Sequence, residues 1–185
     1  MMINIDSFMD DIYTPLIQYT DAPQILKANQ KIPDDMLEDN RIIYNVIVFA
    51  NTDSRQTIIR EMDTVDSDSE DFDYDIKADN ITFPEGTLSI TGFGNEILTP
   101  LNKAREWFYT VGLGDMWLRD SQYNAVIREV MEIDDRTVYL ESDYEKRYGF
   151  DVIIEFKDVV KVRHDTIERV EFTNKTTNQT KEIDL

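Results

Sequence analysis

The chain contains no cysteine, which excludes disulfides and thiolate zinc sites and is compatible with a reducing cytoplasm. No apolar run approaches the ~20 residues that span a bilayer, so no membrane contact is expected. The opening MMINIDSFMDD has neither a basic end nor a long apolar centre, and it does not read as a signal peptide. Basic residues are scarce: 19 Lys and Arg stand against 38 Asp and Glu, a formal charge of −19. Such a field repels nucleic acid rather than gripping it. There is one histidine, His164. Its neighbour Asp165 would point to the opposite face of a strand, and a general base needs a partner within reach, so His164 reads as an ordinary surface residue. GFG (92–94) and GLG (112–114) lack the lysine and spacing of a phosphate loop and read as turns at helix ends. No catalytic residue, cofactor or metal is predicted, and the chain is not expected to be an enzyme.

What is present is a globular composition, 41% hydrophobic and 11% aromatic over 185 residues. A chain of this length can bury roughly 70% of its unfolded surface, enough for one sizeable core. One domain over 1–185 is expected, carrying an acidic insertion or arm at 53–80. Ile5, Phe8, Ile12, Leu16 and Tyr19 keep helical spacing, with Asp6 or Ser7 as the cap and Pro15 as a kink or a stop. QILKANQ (24–30) reads as a short strand, KIPDDMLEDN as a polar loop, and RIIYNVIVFA (41–50) as a central strand.

The chain then turns polar and acidic to about residue 80. DSDSEDFDYD (66–75) holds six acids in ten residues, and it reads as an exposed mobile loop or a solvated, poorly regular strand. Asp66, Asp68 and Glu70 imitate a calcium loop. Asp71 stands where glycine is required, however, and Lys77 stands where a bidentate glutamate belongs, so no specific calcium site is expected. TLSITGFG (87–94) restores alternation. A helix starting between Asn95 and Thr99 follows, with Pro100 in its first turn and Leu101, Ala104, Phe108 and Val111 as its apolar stripe, stopped by Gly112. YNAVIREVMEI (123–133) reads as a strand, Asp134–Asp135 as a tight turn, and RTVYLES as the returning strand. Phe150, Val152, Ile154 and Phe156 alternate toward a core, and TIERVEFTN and QTKEIDL form a closing hairpin. The fold class is α+β: a largely antiparallel sheet with two main helices on one face.

YEKRYGFDV (144–152) combines aromatics and charges. Strand alternation puts Tyr144, Lys146, Tyr148 and Phe150 on one face, continuing the core stripe, and Glu145, Arg147, Gly149 and Asp151 on the other. Gly149 allows a bulge or a close backbone approach. The charged face can pair within its own sheet or across a subunit border.

Here the chain resembles a known family, the phage neck terminator proteins, which share the fold of the tail terminator (tail-completion) proteins. The resemblance rests on ILKANQKIPD, on TLSITGFG with its helix and LRDSQYNAVIREV, and on YEKRYGFDVIIEF with its Tyr-Glu-x-Arg-x-Gly-Phe-Asp pattern. The acidic stretch from Asp53 to Asn80 and the closing hairpin are longer than is usual there. The resemblance implies a structural virion protein of the tail and neck, assembled in the host cytoplasm. Such proteins form rings, usually homohexamers, at the head-proximal end of the tail tube. The ring would stop tube polymerisation and meet the head connector, with the tail sheath a further candidate partner and DNA passing through without specific binding. The candidate subunit or partner surface comprises Tyr144, Glu145, Arg147 and Asp151, together with Asp66, Asp68, Glu70, Asp71, Phe72, Asp73, Tyr74 and Asp75. Composition leaves a second reading open, a DNA-mimic inhibitor whose acids imitate phosphates. Against it, much of the acid sits in one segment, where a mimic needs phosphate-like spacing throughout.

Overall fold

A computed structural model describes residues 4–33, 36–50, 58–66, 74–140, 143–165, 169–174 and 179–184. Its elements run α1 (Ile5–Thr20), β1 (Gln24–Lys27), β2 (Arg41–Ala50), β3 (Ile58–Asp66), β4 (Tyr74–Thr82), β5 (Glu85–Phe93), α2 (Leu98–Tyr109), α3 (Gly114–Asp120), β6 (Val126–Val130), β7 (Asp134–Asp135), β8 (Val138–Leu140), β9 (Asp143–Glu145), β10 (Arg147–Glu155), β11 (Asp158–Asp165), β12 (Arg169–Asn174) and β13 (Gln179–Asp184). The fold is α+β with mostly antiparallel sheets. The chain divides into two compact units, one of residues 2–54 and 83–158, the other of 55–82 and 159–185.

The larger unit is built on a sheet in the order β1-β2-β5-β10-β6, with β7 also paired to β10. β1 runs parallel to β2, and the other pairings in this sheet are antiparallel. Alternation puts Ile42 and Tyr44, Leu88 and Ile90, and Phe150, Val152 and Ile154 on one face, where all are buried. Phe8, Met9, Ile12 and Leu16 of α1 and Leu101, Ala104, Trp107 and Phe108 of α2 complete that core. Each large apolar side chain removed from water there contributes about 1.5–3 kcal/mol. Aromatic edges join the layers: Phe8 meets Phe156 and Tyr123 edge-on at 5.2 Å, and Phe108 meets Phe150 at 6.4 Å.

Several boundaries differ from expectation. Asn4, not Asp6 or Ser7, caps α1, its side chain accepting the Ser7 N–H at 3.1 Å. The helix runs through Pro15 to Thr20. β1 stops at Lys27, and Asn29 then takes a left-handed turn (φ 65°). α2 ends at Tyr109, so Val111 falls beyond it and is 89% exposed, and Trp107 takes its place in the core. The short α3 was not anticipated; its seven residues are too few to show a period. Asp134 and Asp135 make no tight turn but pair with Gly149 and Tyr148 of β10. β8 does not return to β6; it pairs with β9, and β6 pairs with β10.

In the smaller unit β3 and β4 pair antiparallel, with Asp66 opposite Tyr74, in a three-stranded sheet ordered β11-β4-β3. Much of the stretch read as an acidic arm is therefore strand. Ala78 and Ile81 of β4 are buried. β12 and β13 form the closing hairpin, Arg169 opposite Asp184. His164 lies on β11, and its expected surface position falls outside what the structure describes.

Candidate assembly surface

The outward face of the larger sheet mixes polar and apolar side chains, which fall into rows fixed by register. Arg41, Phe93 and Arg147 stand opposite one another on β2, β5 and β10. Both guanidinium carbons lie over the Phe93 ring, at 4.5 Å for Arg41 and 5.1 Å for Arg147. Glu145 closes the cluster. It accepts from Arg147 Nε at 2.6 Å, from Arg147 Nη2, and from Arg41 Nη2 at 3.5 Å. A planar guanidinium that gives two N–H groups to one carboxylate fixes geometry as well as energy. Beside this cluster an open cleft of about 670 Å³ is lined by Asn40, Arg41, Phe93, Tyr144 and Lys146, among others.

The next two rows hold a second arginine. Gly149 stands opposite Thr91, and Asp151 opposite Ser89. Arg136 lies across these small side chains. Its Nη1 donates to Ser89 Oγ at 2.9 Å and Thr91 Oγ1 at 3.5 Å, its Nη2 to Asp151 Oδ1 at 3.0 Å, and its Nε to Asp134 Oδ1 at 2.9 Å. Gly149 is what makes the room, since a Cβ there would sit 2.8 Å from the guanidinium carbon. No bulge is involved; the close approach is by a side chain.

Between these networks the chain makes an excursion from β6 to β10, and its projecting part is the β8–β9 hairpin. Tyr139 and Tyr144 stand opposite each other there, ring centres 5.0 Å apart. They are 61% and 69% exposed, and Leu140 is 51% exposed. Tyr144 thus does not continue the core stripe. Lys146 breaks the strand between β9 and β10, so alternation does not carry across it. Asp135 shapes the entry to the hairpin. Its carboxylate accepts the Thr137 N–H at 2.8 Å, and the Thr137 side chain and backbone together hold its carboxyl below the usual 3.8.

The chain matches the phage neck terminator protein family over residues 10–181. It belongs to that family. No curated protein matches it. It is a structural protein of the phage neck, a virion component, and no helix among the described residues is long and apolar enough to cross a membrane.

In this neck terminator protein the Tyr-Glu-x-Arg-x-Gly-Phe-Asp pattern has a structural meaning, residue by residue. Glu145 and Arg147 pair with each other, Gly149 seats Arg136, Phe150 fills the core, Asp151 anchors Arg136, and Tyr144 is presented outward. Asp66 ends β3, and Tyr74 and Asp75 begin β4, in the other unit. Asp68, Glu70, Asp71, Phe72 and Asp73 lie outside the described residues, as does most of the calcium-like loop. Sequence reading missed Arg41, Phe93 and Arg136. The run of small outward residues, Ser89, Thr91 and Gly149, is the trace that a long side chain must lie over them. Among the described residues no three acidic or histidine side chains converge as a metal site would require.

Proposed function

We propose that this chain forms a closed ring, a hexamer, of tail-terminator fold at the head-proximal end of the tail tube. The ring ends tube polymerisation and joins the tail to the head connector while DNA passes through its lumen. Assembly takes place in the host cytoplasm, with no catalytic step. The observation that carries the reading is the family match over residues 10–181. The exposed Tyr139–Tyr144 pair, with Leu140 exposed beside it on the same hairpin, supports a subunit contact on β8–β9, because large side chains with apolar bodies held in water favour burial against a partner. A ring repeats one heterologous contact until it closes, so one such patch per copy suffices. The charge of −19 suits a lumen that must not hold phosphate.

The acidic segment 66–75 is the second proposed contact, with a basic surface of the tube or connector. The two contacts respond to salt with opposite sign. Copies carrying −19 each repel one another, so screening strengthens ring formation. Acid-to-base docking weakens over the same range. The test is electron microscopy and native mass spectrometry of the protein with tail tube protein across a salt series. Six-fold annuli, strengthened by salt between copies, support the reading. A different symmetry, or none, refutes the hexameric ring; a tight complex with a basic DNA-handling enzyme instead favours the DNA mimic.

A further inference from the structure

Nothing in the family match bears on Arg136, yet its placement is the least accidental feature of the sheet. It sits at the start of the β6–β10 excursion, just before the hairpin, while its guanidinium reaches back over β5 and β10. Four acceptors on three segments hold it: Asp134 on β7, Ser89 and Thr91 on β5, and Asp151 on β10. Its own N–H donates to the Arg147 carbonyl at 2.8 Å, and the Arg147 N–H donates to Thr137 Oγ1 at 3.4 Å. The two stems of the hairpin are therefore tied to each other and, through one side chain, to the sheet behind them. β7 adds only a two-residue ladder, which by itself is a weak tether for a projecting hairpin.

We propose that Arg136, seated flat on Gly149, is a positioning residue that sets the direction in which the β8–β9 hairpin presents Tyr139 and Tyr144 to a neighbouring copy. This rests on reading that hairpin as the contact surface. The physical basis is geometric. A planar guanidinium with its N–H groups committed to four oxygens has one low-energy orientation, which a flexible ammonium cannot reproduce. A methyl group at position 149 meets the guanidinium itself, the movable end of a long side chain, not backbone. The sheet survives that collision; the arginine has to lift, and it releases Ser89 and Asp151 as it does.

The absence of cysteine permits a clean test. Cysteines introduced as Leu140→Cys on the hairpin and Val111→Cys after α2, both exposed positions of the same unit, carry spin labels. Pulsed dipolar spectroscopy then reads the distance distribution between them. The native sequence gives one narrow distance. Gly149→Ala and Arg136→Ala each broaden it roughly twofold, with little change in thermal midpoint. The double variant is no broader than Arg136→Ala alone, because the methyl group acts only through the arginine. Arg136→Lys does not restore the narrow distance. A distribution that stays narrow in Arg136→Ala overturns the proposal, and so does broadening that adds in the double variant. If Gly149→Ala does not fold, Asp151→Ala, which removes one anchor without adding volume, must broaden the distance, and a narrow one refutes the role. Ring formation by the unlabelled variants separates the two claims. Broadening with undiminished rings removes the hairpin as the contact and leaves the positioning role standing. Loss of rings in Tyr139→Ala/Tyr144→Ala, with a narrow distance in Gly149→Ala, does the reverse.

Discussion

On its inward side β10 presents Phe150, Val152 and Ile154, all but sealed from water; on its outward side the same strand presents Arg147, a glycine covered by an arginine, Asp151, Ile153 and Glu155. The inward residues are nearly interchangeable in kind: each is apolar, and each is stabilised by area removed from water. The charged outward residues are specific in kind. Replacing Asp151 by another polar residue keeps the polarity of the face and loses the anchor. Partly exposed ion pairs contribute at most about 1 kcal/mol each, so the outward side adds little to stability. What it provides is direction: planar guanidinium groups set where the next segment goes. One strand thus separates holding the fold from aiming a surface.

The sharpest way to break that comparison is Phe150→Ala. Phe150 is fully buried and packs on Phe108 of α2, so a loss of about 3–5 kcal/mol is expected by chemical denaturation. A loss below about 1 kcal/mol would mean the inward side does not carry the fold. Next comes Tyr44, inward on β2, whose hydroxyl donates to the Met9 carbonyl at 2.7 Å. Tyr44→Phe is expected to cost about 1 kcal/mol. Burial, then Asp10 and Tyr13, pushes the Tyr44 phenol up to about 12 from 10.0. Burial, with a hydrogen bond to Asp11, does the same at Tyr123. A raised folded value means the folded state favours the neutral phenol. That stability is complete below about pH 10 and is lost as pH rises toward 12. A denaturation series between pH 9 and 12 should show it, with a shallower fall in Tyr44→Phe.

Smaller still on stability is Arg147→Lys, expected to cost less than about 1 kcal/mol while weakening ring formation measurably by native mass spectrometry. Equal loss of stability and assembly would place Arg147 with the inward residues after all. The inward side is also the side that was legible. Period-two alternation from Phe150 to Phe156, and in Leu88 and Ile90, needs no partner to be recognised, because burial acts on each residue separately. The outward side depended on who stands beside whom. Glu145 and Arg147 read as sharing a face but not as a pair, and Arg136 over Gly149 could not be read, because pairing of β7 with β10 is a tertiary fact. Tyr144 was misplaced for a related reason: alternation was extended through Lys146, where the strand breaks. Acids mask the strand periodicity of segment 53–80, where β3 and β4 pair antiparallel.

The smallest effect expected is confined to the hairpin and appears only in acid. Asp135 is exposed, and its carboxylate accepts the Thr137 N–H. Bonding to the Thr137 side chain, then to its backbone, holds the carboxyl below 3.8. A depressed carboxyl favours the folded arrangement when ionised. Its contribution is therefore present above about pH 4 and is lost as pH falls through the lowered value. Being exposed, Asp135 has little bearing on global unfolding, and its influence should be local, on the turn from β7 into β8. Protection of the Thr137 and β8 amides against exchange, taken relative to the intrinsic rate at each pH, should fall more between pH 6 and pH 3 than protection in β5. Acid loosening alone would not single out Asp135. Asp135→Asn makes the distinction: the amide oxygen can still accept the Thr137 N–H, but it does not titrate. The variant should lose the local acid limb while β5 exchange is unchanged. If the limb persists in Asp135→Asn, Asp135 is not its source, and the bond from Thr137 to its carboxylate is not what acid loosens in the hairpin.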